Sequence, residues 1–307
     1  MPFVKPKTPP PTHFQASLGA AVGRVNDFWA LAYCPELDEL EQRNNRAHDR
    51  FTFIFHHVGP DRIIEARYPE RLDGLWQRDD GVLFAAGARR ALLEFEPDRM
   101  VEVPLNDVPG IFTSLWGHTD GTLFGAGGYG NAPFVLEGRR GHWQLLPLPD
   151  GAGDVHGICG FSDEDVYFVG KQGQVHHFDG QTVRRLKVPV PTSHILTGIA
   201  RLDDTRMVVS GYHGALLVGN ASGFRHLITN TRDPILTVAT LAGEAYYCAE
   251  SSVWSTDGAA PPAIAIDFDA AWVSGLADGL VLGGYTSAVV YQNGVSTPLD
   301  VKVEARL

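Results

Sequence analysis

At 307 residues, 44% of them hydrophobic, the chain can bury a large core, and no apolar run approaches the roughly 20 residues that a membrane-spanning helix needs. Its formal net charge of −11 argues against general binding to nucleic acid or to an anionic membrane, which takes a basic face, and leaves room only for a local basic patch. Three cysteines, Cys34, Cys159 and Cys248, are too few and too far apart for a disulfide framework and fit a reducing compartment.

The first stretch, MPFVKPKTPPPTHFQ, carries two lysines but no apolar centre, so it reads as an extended proline-rich arm over 1–14 and not as a secretory signal. A cytoplasmic location is the expectation. Residues 15–69 read as a degenerate first repeat, with strands at Gln15–Gly23, Asp27–Cys34, Phe51–Val58 and Arg62–Tyr68. The insertion Pro35–Arg50 is rich in helix formers, with acids early and arginines late, which predicts a short surface helix or ordered loop.

From residue 72 the repeat is plain. Leu75-Trp76, Asp80-Gly81 and Leu83-Phe84 return as Leu115-Trp116, Asp120-Gly121 and Leu123-Phe124. The clearest unit spans Cys159–Val190. An acidic turn, Ser162-Asp-Glu-Asp165, leads into Val166-Tyr-Phe-Val169 and stops at Gly170. An alternating run, Gln174-Val-His-His-Phe178, then meets Asp179-Gly180, which reads as a tight primed hairpin turn. Four short strands in about 40 residues make one propeller blade. The residues that end successive second strands, Gly87, Gly127, Gly170, Gly211, Ala249 and Gly284, hold this period along the chain. The expectation is an all-β, single-domain, seven-bladed β-propeller of four-stranded antiparallel blades, at about 15–69, 72–106, 111–150, 154–191, 195–230, 235–268 and 272–304. Six blades, with 15–69 as an added element, is the alternative. Either the N-terminal arm or Val301–Leu307 closes the ring.

The pattern of an acidic turn, Val166-Tyr-Phe-Val-Gly170 and Gly173-Gln-Val-His-His-Phe-Asp-Gly180 resembles a large bacterial family of divergent propeller repeats, grouped with photosystem assembly-factor-like and sialidase-repeat-like propellers. The resemblance covers about residues 72–304 and implies the fold. The sialidase-type aspartate box is absent, as are Gly-His and Trp-Asp dipeptides in their usual blade positions, so the resemblance implies no activity.

In such a ring the turns between second and third strands share one face with the links between blades. That face collects Arg89, Arg90, Tyr129, Asn131, His156, Lys171, His194, Tyr212, His213 and Tyr285, and the insertion at 35–50 overhangs it. Gly-Tyr recurs at Gly128-Tyr129, Gly211-Tyr212 and Gly284-Tyr285. A tyrosine in a turn forms interfaces well, unless it packs on the neighbouring blade. The opposite face collects Asp79-Asp80, Asp120, Asp163-Glu164-Asp165, Asp203-Asp204 and Asp278, which read as a solvated acidic surface.

Chemistry is weakly signalled. His56-His57 and His176-His177 are adjacent in strands, so each pair points to opposite faces and cannot chelate together. Zinc on His156, His194 and His213, or calcium on Asp107, Asp154, Asp233 and Asp269, would need the blade links to converge at the channel mouth. No nucleophile elbow and no phosphate loop is present. The expected function is therefore a non-catalytic, monomeric protein-binding propeller, an adaptor or an inhibitor or immunity-like protein, with a protein partner and no cofactor. The alternative is a hydrolase or lyase acting on a sugar or lactone through an Asp/His site at the channel mouth.

Overall fold

The structure is a computed structural model that describes residues 12–34, 51–59, 61–96, 99–105, 107–119, 121–130, 132–139, 141–259, 262–285 and 287–305. Asn131, Asp120 and the insertion Pro35–Arg50 lie outside the described residues. Seven four-stranded antiparallel sheets follow one another in chain order, with one terminal ribbon, and form a seven-bladed β-propeller.

Strand β1 (Thr12–Gln15) belongs to the ribbon. Blade 1 holds β2 (Ser17–Arg24), β3 (Asp27–Tyr33), β4 (Thr52–Val58) and β5 (Asp61–Tyr68). Blade 2 holds β6 (Leu72–Gln77), β7 (Leu83–Gly87), β8 (Leu92–Glu96) and β9 (Arg99–Glu102). In blade 3 these are β10 (Ile111–Gly117), β11 (Leu123–Gly128), β12 (Phe134–Arg139) and β13 (His142–Leu145). Blade 4 runs β14 (Val155–Ser162), β15 (Asp165–Gly170), β16 (Val175–Phe178) and β17 (Val183–Leu186). Blade 5 runs β18 (Leu196–Arg201), β19 (Met207–Gly211), β20 (Leu216–Asn220) and β21 (Gly223–His226). Blade 6 has β22 (Val238–Leu241), β23 (Glu244–Ala249), β24 (Ser252–Thr256) and β25 (Ala263–Ile266). Blade 7 has β26 (Trp272–Leu276), β27 (Gly279–Gly283), β28 (Ala288–Gln292) and β29 (Val295–Leu299), and β30 (Lys302–Ala305) ends the described chain.

The core is a set of layers between blades. Second strands such as Leu83–Gly87 and Met207–Gly211 are buried along their whole length, because a neighbouring blade covers each face, and so they read as unbroken apolar runs. One layer packs Phe84, Leu92, Phe112 and Phe134 between blades 2 and 3. Another packs Ala16, Leu18, Phe28, Phe53, Val281, Val290 and Val301 between blades 1 and 7, so the first and last blades share a core like every other pair.

Ring closure needs both termini. Each end blade draws all four strands from its own stretch of chain. The ends then pair with each other, from Thr12↔Ala305 to Gln15↔Lys302, and the Ala16 amide donates to the Val301 carbonyl at 3.0 Å. The tail of the predicted arm is therefore a strand.

Tight turns differ in one respect from expectation. Asp179-Gly180 is not a two-residue primed turn: only Gly180 has positive φ (86°), and four residues join β16 to β17. The Asp179 carboxylate accepts from the amides of Gln181 (3.1 Å) and Thr182 (2.8 Å), an Asx-type turn in which the aspartate itself keeps a negative φ. Primed geometry appears instead at Asn293-Gly294 (φ 51° and 82°) and Ala242-Gly243 (52° and 83°).

Candidate functional site

The turns between second and third strands hydrogen-bond to the links on either side. In blade 4 the Lys171 amide donates to the Asp154 carbonyl (3.0 Å) and the Gly173 amide to the His194 carbonyl (2.7 Å). In blade 5 the Tyr212 amide donates to the Ile195 carbonyl (2.9 Å) and the Gly214 amide to the Asp233 carbonyl (3.1 Å). In blade 2 the Ala88 amide donates to the Arg71 carbonyl (2.7 Å). In blades 2, 4 and 5 these backbone bonds hold the turns that carry Arg89, Arg90, Lys171, Tyr212 and His213 against the blade links, with His194 in one of those links.

The glycine before each turn is where the incoming link crosses. A Cβ at Gly87 would stand 2.1 Å from the Arg71 carbonyl oxygen, and one at Gly211 2.5 Å from that of Ile195. Blade 6 shows why Ala249 is tolerated: its inner strand first pairs at Val238↔Tyr247, so no ladder partner crosses there. Gly128 serves differently. Its missing side chain leaves room for the Asp154 carboxylate, whose Oδ1 would be 2.4 Å from a Cβ at 128.

On this face Tyr129 is 73% and Tyr285 88% exposed, so neither packs on a neighbouring blade, whereas Tyr212 is 37% exposed. Arg90 and His213 are exposed. Arg89 is exposed and its Nε pairs with Glu70 Oε1 at 2.6 Å. Lys171 is engaged within the fold: its Nζ lies 2.6 Å from Oδ2 of Asp154, a carboxylate almost wholly buried. His194 and His213 come together with ring centroids 4.9 Å apart. Burial, and then the nearby His213 and His226, lower the His194 pKa from its ordinary value.

Several turn residues that are not glycine hold left-handed backbone: Arg89 (φ 50°), Arg90 (65°), Gln172 (61°), His213 (60°), Glu250 (51°) and Ser251 (58°). Ser251 gave no signal in the sequence, and nothing in the sequence marks Gln172, itself a turn residue, as left-handed.

His156 sits apart from the others. It occupies a bulge of the inner strand and lines the central channel, a cavity of about 580 Å³ walled by the seven inner strands. Asp73, Thr113 and Thr197 occupy the corresponding bulges in blades 2, 3 and 5. The threonines bind the next blade: Thr113 Oγ1 donates to the Val155 carbonyl (2.7 Å) and Thr197 Oγ1 to that of Ile235 (2.8 Å). His156 makes no such bond, and its buried Nε2 has no partner. Burial, then the Lys171 charge, lower its pKa.

Among the described lining residues the other ionisable groups are Arg201 and Cys159, and burial pushes the Cys159 thiol up to about 11. Asp154 is drawn to Lys171, and Asp107, Asp233 and Asp269 are exposed. The predicted carboxylate ring is thus not assembled in the channel. Among the described residues no three His, Cys, Asp or Glu side chains converge as metal ligands.

The opposite face is acidic in sequence but largely paired in space. Arg78 Nε meets Asp80 at 2.8 Å, Arg206 Nε meets Asp203 at 2.6 Å, Arg139 meets Asp163 at 2.6 Å, and Arg201 pairs with Asp204. Here lies a cavity of about 680 Å³, between blades 2 and 3, lined by Phe84, Leu123, Trp143 and Glu94.

No family model and no curated protein matches the chain. Solved structures do. The WD40 β-propeller domain of Doa1 superposes with a TM-score of 0.70 at 10% identity, covering 92% of this chain and 96% of that one. Virginiamycin B lyase from Staphylococcus aureus, a catalytically inactive variant with quinupristin, gives 0.68 at 12% identity, covering 91% and 97%. A Mycobacterium tuberculosis puromycin-hydrolysing peptidase gives 0.70 at 14% identity, covering 92% of this chain and 52% of that one. These likenesses show the fold alone. They carry a propeller, not the photosystem assembly-factor-like or sialidase-repeat-like grouping. Among the described residues, no helix is long and apolar enough to cross a membrane.

Proposed function

We propose that the protein is a binding propeller that holds a protein partner on the face formed by its second-to-third-strand turns and blade links. The observation that carries this reading is the left-handed turn residues. Arginine, glutamine, histidine, glutamate and serine stand where glycine would fold at lower cost, each at about 1 kcal/mol. Side chains kept at such positions, on turns anchored to a rigid ring, fit selection for the surface they present. Tyr129 and Tyr285 add two large exposed side chains that bring contact area with little rotamer entropy.

The hydrolase or lyase reading has less support. Acid–base catalysis needs titratable groups aimed at one point. The described channel lining offers His156 and Arg201, with a thiol too weakly acidic to act as a nucleophile.

The test replaces left-handed residues by glycine, which keeps the turn and removes the side chain. Wild-type protein and an Arg90→Gly/His213→Gly/Tyr285→Ala variant are used as bait in quantitative affinity capture. A stoichiometric partner held by the wild type and lost by the variant, at unchanged melting temperature, is the expected result. A partner retained by that variant would place the interface elsewhere.

A further inference from the structure

Eight cations among the described side chains are answered by a carboxylate. Arg71, Arg78, Arg89, Arg139, Lys171, Arg201, Arg206 and Lys302 all form ion pairs. The cations without one, among the described side chains, do not scatter. Arg24 and Arg90 apart, they are Arg184 and Arg185 of β17, Lys187 just after it, Arg225 of β21 and Arg232 in the link that follows. All five are exposed; Arg184, Arg185 and Arg225 lie on the outermost strands of two adjacent blades, and Lys187 and Arg232 in the chain that follows those strands.

The carboxylates that could answer them are committed elsewhere. Asp165 holds His177, Asp154 holds Lys171, and Asp179 is filled by its own turn. Asp203 and Asp204 hold Arg206 and Arg201. Among the described carboxylates of blades 4 and 5 and of the link after them, Glu164 and Asp233 are exposed and have no side-chain ion pair.

The edge also has backbone to offer. β17 and β21 are the last strands of their sheets, paired on one side only. An edge strand presents a row of unpaired N–H and C=O groups to any extended chain. Along β17, Leu186 packs between blades 4 and 5 while Val183 packs between blades 3 and 4. The alternation of a strand therefore sends Arg184 to one side of the edge and Arg185 with Lys187 to the other.

We propose that the rim of blades 4 and 5 is a second docking surface, distinct from the turn face, for an acidic, extended segment of a protein partner. The segment adds to the free edge of β17, with its carboxylates between Arg184, Arg185 and Lys187 and a further contact at Arg225. Main-chain pairing supplies affinity and the cations supply selectivity. A peptide is favoured over nucleic acid for two reasons: a strand edge rewards a polypeptide backbone, and the protein's charge of −11 repels a long polyanion beyond the patch.

The test uses three fluorescent probes: a short alternating Glu-Val peptide, its Gln-Val counterpart, and a single-stranded DNA oligonucleotide of matched charge. Fluorescence anisotropy at about 50 mM salt, where screening is weak, reads the affinities. The Glu-Val peptide is expected to bind best, and Arg184→Glu/Arg185→Glu/Lys187→Glu to weaken it by roughly tenfold or more. The milder Arg184→Gln/Arg185→Gln should weaken it roughly threefold, which keeps the test valid if the triple reversal misfolds. Tyr129→Ala/Tyr285→Ala should change nothing. Equal binding of the Gln-Val peptide, tighter binding of the DNA, or unchanged binding by both charge variants would each overturn the proposal.

Discussion

A Cβ on Gly170 would stand 2.1 Å from the carbonyl oxygen of Asp154. That carbonyl belongs to the link entering blade 4, and it accepts from the Lys171 amide at 3.0 Å. Neither group can move without opening the joint between link and turn. Gly170 has extended backbone, φ −177°, so the glycine is needed for the close approach and not for its dihedral freedom. Gly170→Ala should destabilise the fold by about 1–3 kcal/mol, the usual range for overpacking. Chemical denaturation reads this, with Ala249→Gly as the contrast: no inner-strand ladder crosses there, and the change should cost about 1 kcal/mol or less.

Lys171 is a candidate for partner contact by position and a structural cation by geometry. Its ammonium is the charged partner of the buried Asp154 carboxylate, whose Oδ1 has no hydrogen bond. Lys171→Met should lower stability by about 3 kcal/mol, and the double variant with Asp154→Asn should recover most of it. Equal melting temperatures for Lys171→Met and wild type would free Lys171 for a role at the surface alone.

Stability should fall with acid through buried histidines. His176 is buried, its Nε2 has no partner, and burial with the cross-strand Arg185 charge lowers its pKa to about 4. The unfolded chain takes up this proton first, near its ordinary value of about 6.5. The contribution is therefore complete above about pH 6.5 and is lost as pH falls toward 4, by about 3 kcal/mol in full. His156 and His194, both lowered by burial, act in the same direction. Denaturation curves across this window should show a positive slope of stability with pH, and His176→Leu should flatten it.

Tyr129 and Tyr285 should be dispensable for folding. With most of each side chain in solvent, replacement by alanine should change stability by about 0.5 kcal/mol or less. Tyr212, less exposed and next to a glycine against which the link is packed, should cost more. Similar losses for all three would mean that the turns depend on their tyrosines for packing.

The sequence by itself determined the repeat. Tight turns, apolar second strands and a glycine at each crossing are local requirements, and local chemistry leaves a period. That is why seven blades, and even the four strands of the degenerate first blade, could be read from residues alone. Which terminus closed the ring could not be read, because the pairing of Thr12–Gln15 with Lys302–Ala305 joins opposite ends of the chain. The fate of the charges was likewise decided in three dimensions. The aspartates of the one-to-two turns looked like a free acidic surface until Arg78, Arg139, Arg201 and Arg206 were found holding them. Lys171 looked free until Asp154 was found beneath it, and Val183-Arg-Arg-Leu186 looked ordinary until its arginines proved to have no such partner. Composition counts charges, but an ion pair depends on distances across blades, and only the closed ring sets those.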